Sequence, residues 1–196
     1  MTLLRCLAAA LLLPVLVSCT STGSQDSSEA GPGAVATETA APELLNGSFD
    51  AAEHPLHGWE KGVHANPDSY RFEIRTGEEC LSNPCVAIIQ QGSEPWGGIF
   101  QMINLPGQKP GGVRFVAMFR GIDADSPTHL QALVKRPGRP DDIHEAKVDL
   151  LPVFAPVTLD VTLPEDASAV EIGVVHHGQG AVVVDDVSMS LLPGQP

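Results

Sequence analysis

Lysine and arginine are scarce in this chain of 196 residues: together they number 11, against 24 aspartate and glutamate residues, and the formal net charge is −13. No stretch of the sequence is rich in basic residues. The composition therefore excludes the positively charged surface on which binding to nucleic acid or to anionic lipid headgroups depends. Aromatic residues are also few, at 5%, which limits any site built from stacked rings.

A hydrophobic run long enough to span a bilayer is missing as well. The apolar stretch from Leu7 to Val17 holds about eleven residues, whereas a membrane span needs ~20. It follows Arg5 and leads to the small residue Ser18 before a cysteine. A charged start, a short apolar core and a small residue at the cleavage point predict a signal peptide over residues 1–18.

The four residues Leu16-Val17-Ser18-Cys19 resemble the lipobox of bacterial lipoproteins. The resemblance implies that Cys19 is acylated, with palmitate among its chains, and anchors the protein in membrane lipid. Two or more chains hold a protein on a membrane far more firmly than one. The alternative is an ordinary cleaved signal followed by a chance cysteine. Thr20, where inner-membrane lipoproteins of Gram-negative bacteria carry aspartate, resembles the outer-membrane class and implies a place in the cell envelope, outside the cytoplasm.

Residues 20–42 contain mainly Ser, Thr, Gly, Ala and Pro and almost no large apolar side chains. Such a composition cannot bury enough surface to fold. We expect residues 19–42, with the acylated cysteine at their start, to form a flexible tether, residues 43–192 to form one domain, and residues 193–196 to be a C-terminal tail.

Only two cysteines remain for the domain, Cys80 and Cys85. An exported protein meets an oxidising compartment, so a pair this close in sequence predicts a disulfide that closes a turn. Zinc binding is the alternative, but these two residues alone lack the further ligands that a structural zinc site needs.

Short segments of alternating apolar and polar residues, separated by Pro-, Gly- and Asp-containing turns, fill the rest of the chain. No apolar pattern with a helical period lasts beyond about two turns. The pattern predicts an all-β fold, an antiparallel β-sandwich or barrel. On the strand at 113–120 the side chains of Phe115, Ala117 and Phe119 are expected to face the core, and those of Met118 and Arg120 the opposite side. The other expected strands cover residues 70–76, 86–91, 98–105, 129–136, 146–151, 157–163, 169–176 and 181–191.

Six stretches taken together resemble the CenC-like carbohydrate-binding modules. Asn46-Gly47-Ser48-Phe49-Asp50 and the later Gly58-Trp59 are similar to the opening motif of that family, and Asp185-Asp186-Val187 to its end. The resemblance covers nearly all of residues 43–192 and implies a galactose-binding-like jelly roll. The stretches are residues 44–50, 56–59, 95–101, 114–121, 154–164 and 171–189.

Members of that family commonly hold a structural calcium between the first and last strands. The matching positions imply a site at Asp50 and Asp185, completed by backbone carbonyls near Ser48 and before Val86, since Ca²⁺ takes six to eight oxygen ligands. The other reading is that both aspartates end strands in a metal-free domain. Because neighbouring side chains on a strand point to opposite faces, Asp186 is expected to point away from Asp185.

The resemblance also implies a glycan site. Trp96 stands at a loop-to-strand entry, where related modules often carry a stacking ring, and Arg120, Gln131 and His176 are expected to line one concave face with it. Trp59, in the Gly-Trp signature, is expected in the core. Met118 stands where the family often has tryptophan, which weakens the glycan reading.

No catalytic motif is evident: the sequence holds no Gly-x-Ser-x-Gly elbow, no His-Glu-x-x-His helix and no phosphate-cradling glycine loop. We therefore expect a lipoprotein that is not an enzyme and presents a glycan-binding domain at the cell surface. The alternative is a protein-interaction or structural envelope domain that has lost sugar binding.

Overall fold

The computed structural model describes residues 41–106, 111–124 and 126–193. The expected signal peptide, Cys19 and nearly all of the tether lie outside these ranges, as do the last three residues of the C-terminal tail. The described chain forms ten strands and two short 3₁₀ turns, Pro67–Ser69 and Gly77–Glu79. In chain order the strands are β1 Glu60–Val63, β2 Tyr70–Arg75, β3 Cys85–Gln90, β4 Gly97–Asn104, β5 Gly112–Ile122, β6 Thr128–Lys135, β7 Asp142–Val148, β8 Ala155–Thr162, β9 Ala169–His176 and β10 Ala181–Leu192. No helix within the described ranges is long and apolar enough to cross a membrane.

The ten strands form two antiparallel sheets of five strands each. The first sheet has the order β1-β4-β9-β6-β7, and the second has the order β2-β3-β10-β5-β8. Side chains from both sheets form one core between them, and Phe115, Ala117 and Phe119 on β5 are buried in it. The prediction of an all-β sandwich is confirmed, as is the core-facing side of β5.

Two strands differ from expectation. β1 has only four residues, Glu60 to Val63, and begins with two charged ones, so it offers no alternation long enough to recognise. β7 spans Asp142–Val148, although the sequence placed a strand at 146–151. Its exposed residues alternate with residues that are only partly buried, because β7 is an edge strand. The sequence therefore shows little alternation between apolar and polar residues from which the strand could be recognised.

The outer face of the second sheet carries a small apolar cluster of its own. Cys85, Ala87 and Val183 are fully buried there, packed beside Ile122 and Phe154. The predicted disulfide is confirmed: the Cys80 and Cys85 sulfur atoms are bonded, with their Cα atoms 5.5 Å apart. The disulfide therefore lies over this cluster and helps to keep it from water.

The segment before β1 is held by two side-chain amides. Asn46 donates to the carbonyls of Pro55 and His57 and accepts from the Ala51 amide. The buried Gln101 side chain on β4 accepts from the Leu45 N–H at 2.6 Å and donates to the Leu45 carbonyl at 2.8 Å. These bonds fix the entry of the chain into the sandwich.

Trp59 lies in the core, as expected. Its ring centroid is 5.5 Å from that of Phe49, and its Nε1 donates to the Asn46 carbonyl at 3.1 Å. The Asn-Gly-x-Phe and Gly-Trp stretches thus form one packed unit.

The Asp185 carboxylate is fully buried and holds the disulfide loop in place. One oxygen accepts from the backbone N–H groups of Leu81 and Ser82, each at 2.9 Å. The other accepts from the Ser82 hydroxyl and the Asp186 N–H, each at 2.8 Å. Burying a carboxylate is costly unless hydrogen bonds satisfy it, and these four bonds do so.

Asp186 does not point away from Asp185. A bulge interrupts the pairing of β10 with β5 between Asp185 and Ser188, and Asp186 adopts a left-handed backbone conformation with φ 44°. The Asp186 carboxylate therefore lies 2.8 Å from the same Ser82 hydroxyl. The expectation of opposite sides was wrong because strict alternation stops at a bulge.

These contacts bear on the calcium hypothesis, which stays a prediction. Calcium binds oxygen lone pairs, but all four described partners of Asp185 are N–H or O–H donors directed at its oxygens. Asp50 is exposed, and its carboxylate accepts from the Ser48 hydroxyl at 2.7 Å. The arrangement fits a carboxylate held by hydrogen bonds, and a calcium ion would have to displace those donors.

Replacing Asp185 with alanine is expected to lower the free energy of unfolding by about 3 kcal/mol, because it leaves several buried donors without acceptors. Urea denaturation of both proteins measures the difference. Asp160→Ala is the matched control: that carboxylate pairs with Arg114 on the surface, and its loss is expected to change stability far less, because exposed ion pairs contribute little. Equal effects of the two substitutions would contradict the anchoring role of Asp185.

Thermal unfolding with and without excess EDTA tests the calcium hypothesis. An unchanged melting temperature would show that the hydrogen-bond donors alone satisfy Asp185 and would remove the predicted site. A lower melting temperature in EDTA, restored by added CaCl₂, would instead support a bound calcium ion.

Candidate functional site: a groove across the first sheet

The pairing register places five outward-facing residues in one row across the first sheet. Glu60 on β1 is opposite Phe100 on β4, and Phe100 is opposite Gly173 on β9. Gly173 is in turn opposite Gln131 on β6, and Gln131 is opposite Glu145 on β7. With ~4.8 Å between neighbouring strands, the row is roughly 19 Å long. It has an aromatic ring and a glycine towards its centre and hydrogen-bonding groups towards its ends.

The Phe100 ring lies over glycines on three strands. A Cβ atom added to Gly173 would come within 2.5 Å of the ring, one on Gly62 within 2.7 Å, and one on Gly98 within 2.9 Å. All three distances are shorter than non-bonded carbon atoms allow. The ring therefore occupies the space that side chains at these positions would fill, and it can rest on the sheet only because they are glycine.

Trp96 stands beside this ring, just before β4 begins. Its ring centroid is 6.1 Å from that of Phe100, and the two planes are nearly perpendicular, at 83°. His64 packs edge-on against Trp96 at 6.2 Å, and its Nδ1 lies 2.8 Å from a Glu94 carboxylate oxygen. The His64–Glu94 pair thus supports the Trp96 ring, and Trp96 and Phe100 form a corner of two aromatic surfaces.

The corner opens into a groove of about 520 Å³ that reaches from β1 to β7. Its apolar surface beyond the two aromatic rings comes from Leu133, Ile143 and Val175, and its polar groups are Glu60, Lys61, Gln131, Glu145, Glu171 and His177. Aromatic and aliphatic surface with a few polar groups around it is typical of small-molecule and sugar sites.

Two hydrogen-bonding groups in the groove are already oriented. The Gln131 side chain donates to Glu145 at 2.5 Å, so its amide oxygen faces away from that carboxylate. Burial, together with the neighbouring His129, lowers the pKa of His177. His177 is therefore neutral at pH 7 and offers one donor and one acceptor.

The structure brings together two of the four residues expected at a glycan site. Trp96 and Gln131 both line the groove. Arg120 lies on β5 in the second sheet, where its guanidinium stacks 5.3 Å from the Phe154 ring centroid. The expectation that Arg120 shares a face with Gln131 was wrong because the two residues belong to different sheets.

His176 does not face the groove either. It points into the core, fully buried, with Nδ1 2.9 Å from the Thr128 hydroxyl and its ring perpendicular to that of Tyr70. The next residue, His177, lines the groove instead. The placement of His176 was wrong by one residue, because His176 ends β9 facing the core and the residue after it faces outward.

Sequence reasoning missed Phe100, Glu145 and His177. The signal for Phe100 was present: Trp96, Gly98 and Phe100 alternate along one strand and so share a face. Glu145 and His177 gave no such signal, since their neighbours across the sheet come from distant parts of the chain.

No known family profile matches the sequence, and no curated protein matches it. Solved structures do match the fold. A family 22 carbohydrate-binding module of a Clostridium thermocellum xylanase is 12% identical over 79% of this chain and 99% of its own, with a TM-score of 0.55. A family 11 module from Clostridium thermocellum, solved with a β-1,3-1,4-linked tetrasaccharide, is 12% identical over 80% of this chain and all of its own, with a TM-score of 0.52.

The enzymatically active domain of a bacteriophage CBA120 tailspike protein is a further match, at 13% identity and a TM-score of 0.59 over 77% of this chain. This chain spans 21% of that protein's length and 29% of a matched two-module Clostridium thermocellum xylanase. Identities this low establish the fold alone. The described chain has the jelly-roll β-sandwich fold of the carbohydrate-binding modules.

The buried His176 predicts a loss of stability in acid. Burial lowers its pKa to about 4 from the ordinary value of 6.5. The unfolded chain takes up a proton below pH 6.5 but the folded chain does not, so stability from this group is present above pH 6.5 and lost as the pH falls towards 4. The expected loss between pH 7 and pH 4 is about 3 kcal/mol.

Urea denaturation at pH 7 and pH 4 gives the change in the free energy of unfolding for the unmodified chain and for His176→Gln. The difference between these two changes is the contribution of His176. His57→Gln, at an exposed histidine before β1, is the control and is expected to retain the full effect. An identical pH dependence in His176→Gln would exclude His176 as its source.

Proposed function

We propose that the domain binds a glycan, without catalysis, in the groove across the first sheet. The observation that carries the proposal is the row from Glu60 to Glu145, in which the glycine-supported Phe100 ring lies among hydrogen-bonding side chains and Trp96 stands beside it, perpendicular to it. A sugar ring has apolar faces and a rim of hydroxyl groups. It can stack on Phe100 or Trp96 while Gln131, Glu145, Glu171 and His177 bond its hydroxyls.

The matches to carbohydrate-binding modules support the same reading at the level of the fold. The groove supports it at the level of residues, because its aromatic corner lies on an outward face rather than in the core. We further propose that the chain is a lipoprotein that presents this domain at the cell envelope, with the signal peptide at 1–18, acylated Cys19 and a tether at 19–42.

Removing either aromatic surface is expected to weaken glycan binding tenfold to a hundredfold, or about 1.5–3 kcal/mol, as for other buried aromatic contacts. A glycan array identifies a bound oligosaccharide, and calorimetry compares Trp96→Ala and Phe100→Ala with the unmodified chain. Phe154→Ala, an aromatic residue on the outer face of the second sheet, is the matched control and is expected to bind normally.

Gly173→Ala directly tests the platform, by which we mean the Phe100 ring resting on the three glycines beneath it. Its methyl group would push the Phe100 ring off the sheet, so we expect weaker binding at an unchanged melting temperature. If the folded, unmodified chain binds no glycan on the array, the proposal fails and a protein-interaction or structural envelope role takes its place.

Acylation has its own test. Cells expressing the full chain and labelled with radioactive palmitate are expected to show label on this protein, and Cys19→Ala should abolish it. Cys6→Ala, inside the expected signal peptide, is the control. Label that persists in Cys19→Ala would contradict the lipid anchor.

A further inference from the structure

A second cavity lies at the edge of the sandwich, between β1 of the first sheet and β2 of the second. Its volume is about 560 Å³, close to that of the groove. Its apolar surface includes Val63, Tyr70 and Phe72. These three side chains also belong to the main core or pack against it. The polar residues around it are Lys61, Asp68, Arg71 and Gln91.

Lys61 is one of the two cationic residues that line this cavity. Its ammonium group lies 5.7 Å from the centroid of the Phe72 ring, and among the described residues no carboxylate pairs with it. Arg71 pairs with Glu73 at 2.9 Å and leaves half of its side chain exposed. Two cations thus border an apolar recess in a chain whose net charge is −13.

The groove is more acidic than the edge cavity. Glu60, Glu145 and Glu171 line it together with Lys61, and Lys135 lies 3.7 Å from Glu171. Among the described residues that line the edge cavity, Asp68 is the one carboxylate, beside the cations Lys61 and Arg71. Carboxylates along the groove repel a chain of acidic sugars, because like charges that are close together disfavour binding. Lys61 borders both cavities, so the edge cavity and the groove lie side by side.

We propose that the edge cavity is a subsite for one carboxylate-bearing sugar, such as a hexuronic acid. Its carboxylate lies between Lys61 and Arg71, its ring rests against Phe72 and Val63, and Gln91 and Asp68 bond its hydroxyls. The site as a whole then selects a largely neutral glycan that carries an isolated acidic sugar. This second statement rests on the proposed function, whereas the edge cavity binds its sugar without the groove.

Sodium D-glucuronate and methyl D-glucopyranoside are the matched probes, one anionic and one neutral. They are titrated into ¹⁵N-labelled full-length chain carrying Cys19→Ala, and backbone amide shifts are followed by NMR. We expect glucuronate to shift the amides of Lys61, Arg71 and Gln91 with a Kd in the millimolar range, or about −4 kcal/mol. Methyl glucopyranoside should leave these amides unshifted.

Lys61→Met removes the charge and keeps the length of the side chain. We expect it to weaken glucuronate binding about tenfold. Lys147→Met, on β7 away from the cavity, is the control and should have no effect. Raising the salt concentration should also weaken binding, because the attraction is screened. Unchanged binding by Lys61→Met, or no shift of these amides at saturating glucuronate, would overturn the subsite.

Sodium sulfate distinguishes a sugar site from a general anion site. Sulfate that shifts the same amides as strongly as glucuronate would overturn the assignment to a carboxylate-bearing sugar. Trp96→Ala is expected to leave the glucuronate shifts intact, since Trp96 belongs to the groove. Failure of the groove and failure of the edge subsite therefore give different results.

Discussion

The pairing of β4 with β9 is the constraint on which the binding face depends. It sets Phe100 opposite Gly173 and Gly98 opposite Val175. The phenylalanine ring therefore lies over backbone that carries no side chain. A slip of one residue would turn Ile99 outward and bury Phe100, because side chains alternate between the two faces of a strand. The platform, the row of polar groups on either side of it and the position of Trp96 all follow from this one register.

The two outer faces of the sandwich differ in how their side chains are packed. On the second sheet, Phe154 and the disulfide loop close the outer face, and the buried Asp185 holds that loop through three hydrogen bonds, from the Leu81 and Ser82 N–H groups and the Ser82 hydroxyl. On the first sheet the outer side chains border the groove. The outer face of the second sheet is thus packed and tied by hydrogen bonds, whereas the outer face of the first sheet carries a row of side chains that borders open space.

Alternation and turns were sufficient to predict an antiparallel all-β fold and the core side of β5. The disulfide followed from two cysteines close together in a chain expected to be exported, and the buried Trp59 from the Gly-Trp motif of the family resemblance. The site was predicted only in part. Periodicity tells which residues of one strand share a face, but it does not tell which sheet that strand joins, and this is why Arg120 was misplaced. His176 and Asp186 show the second limit: a phase error of one residue, or one bulge, reverses the direction of a side chain. Phe100 could have been found, because its face follows from that of Trp96.

The bond between Gln101 and Leu45 has a mechanical consequence. Any pull on the chain from its N-terminal side enters the domain near Leu45, and the two hydrogen bonds between Leu45 and Gln101 pass that load to β4. β4 is hydrogen-bonded along its length to β9, so the load acts as shear over many bonds at once rather than opening them one by one. The strand that carries Phe100 is thereby also the strand to which the entry of the chain is tied, so tension from that side would reach the face that carries the groove before it reaches the edge strands.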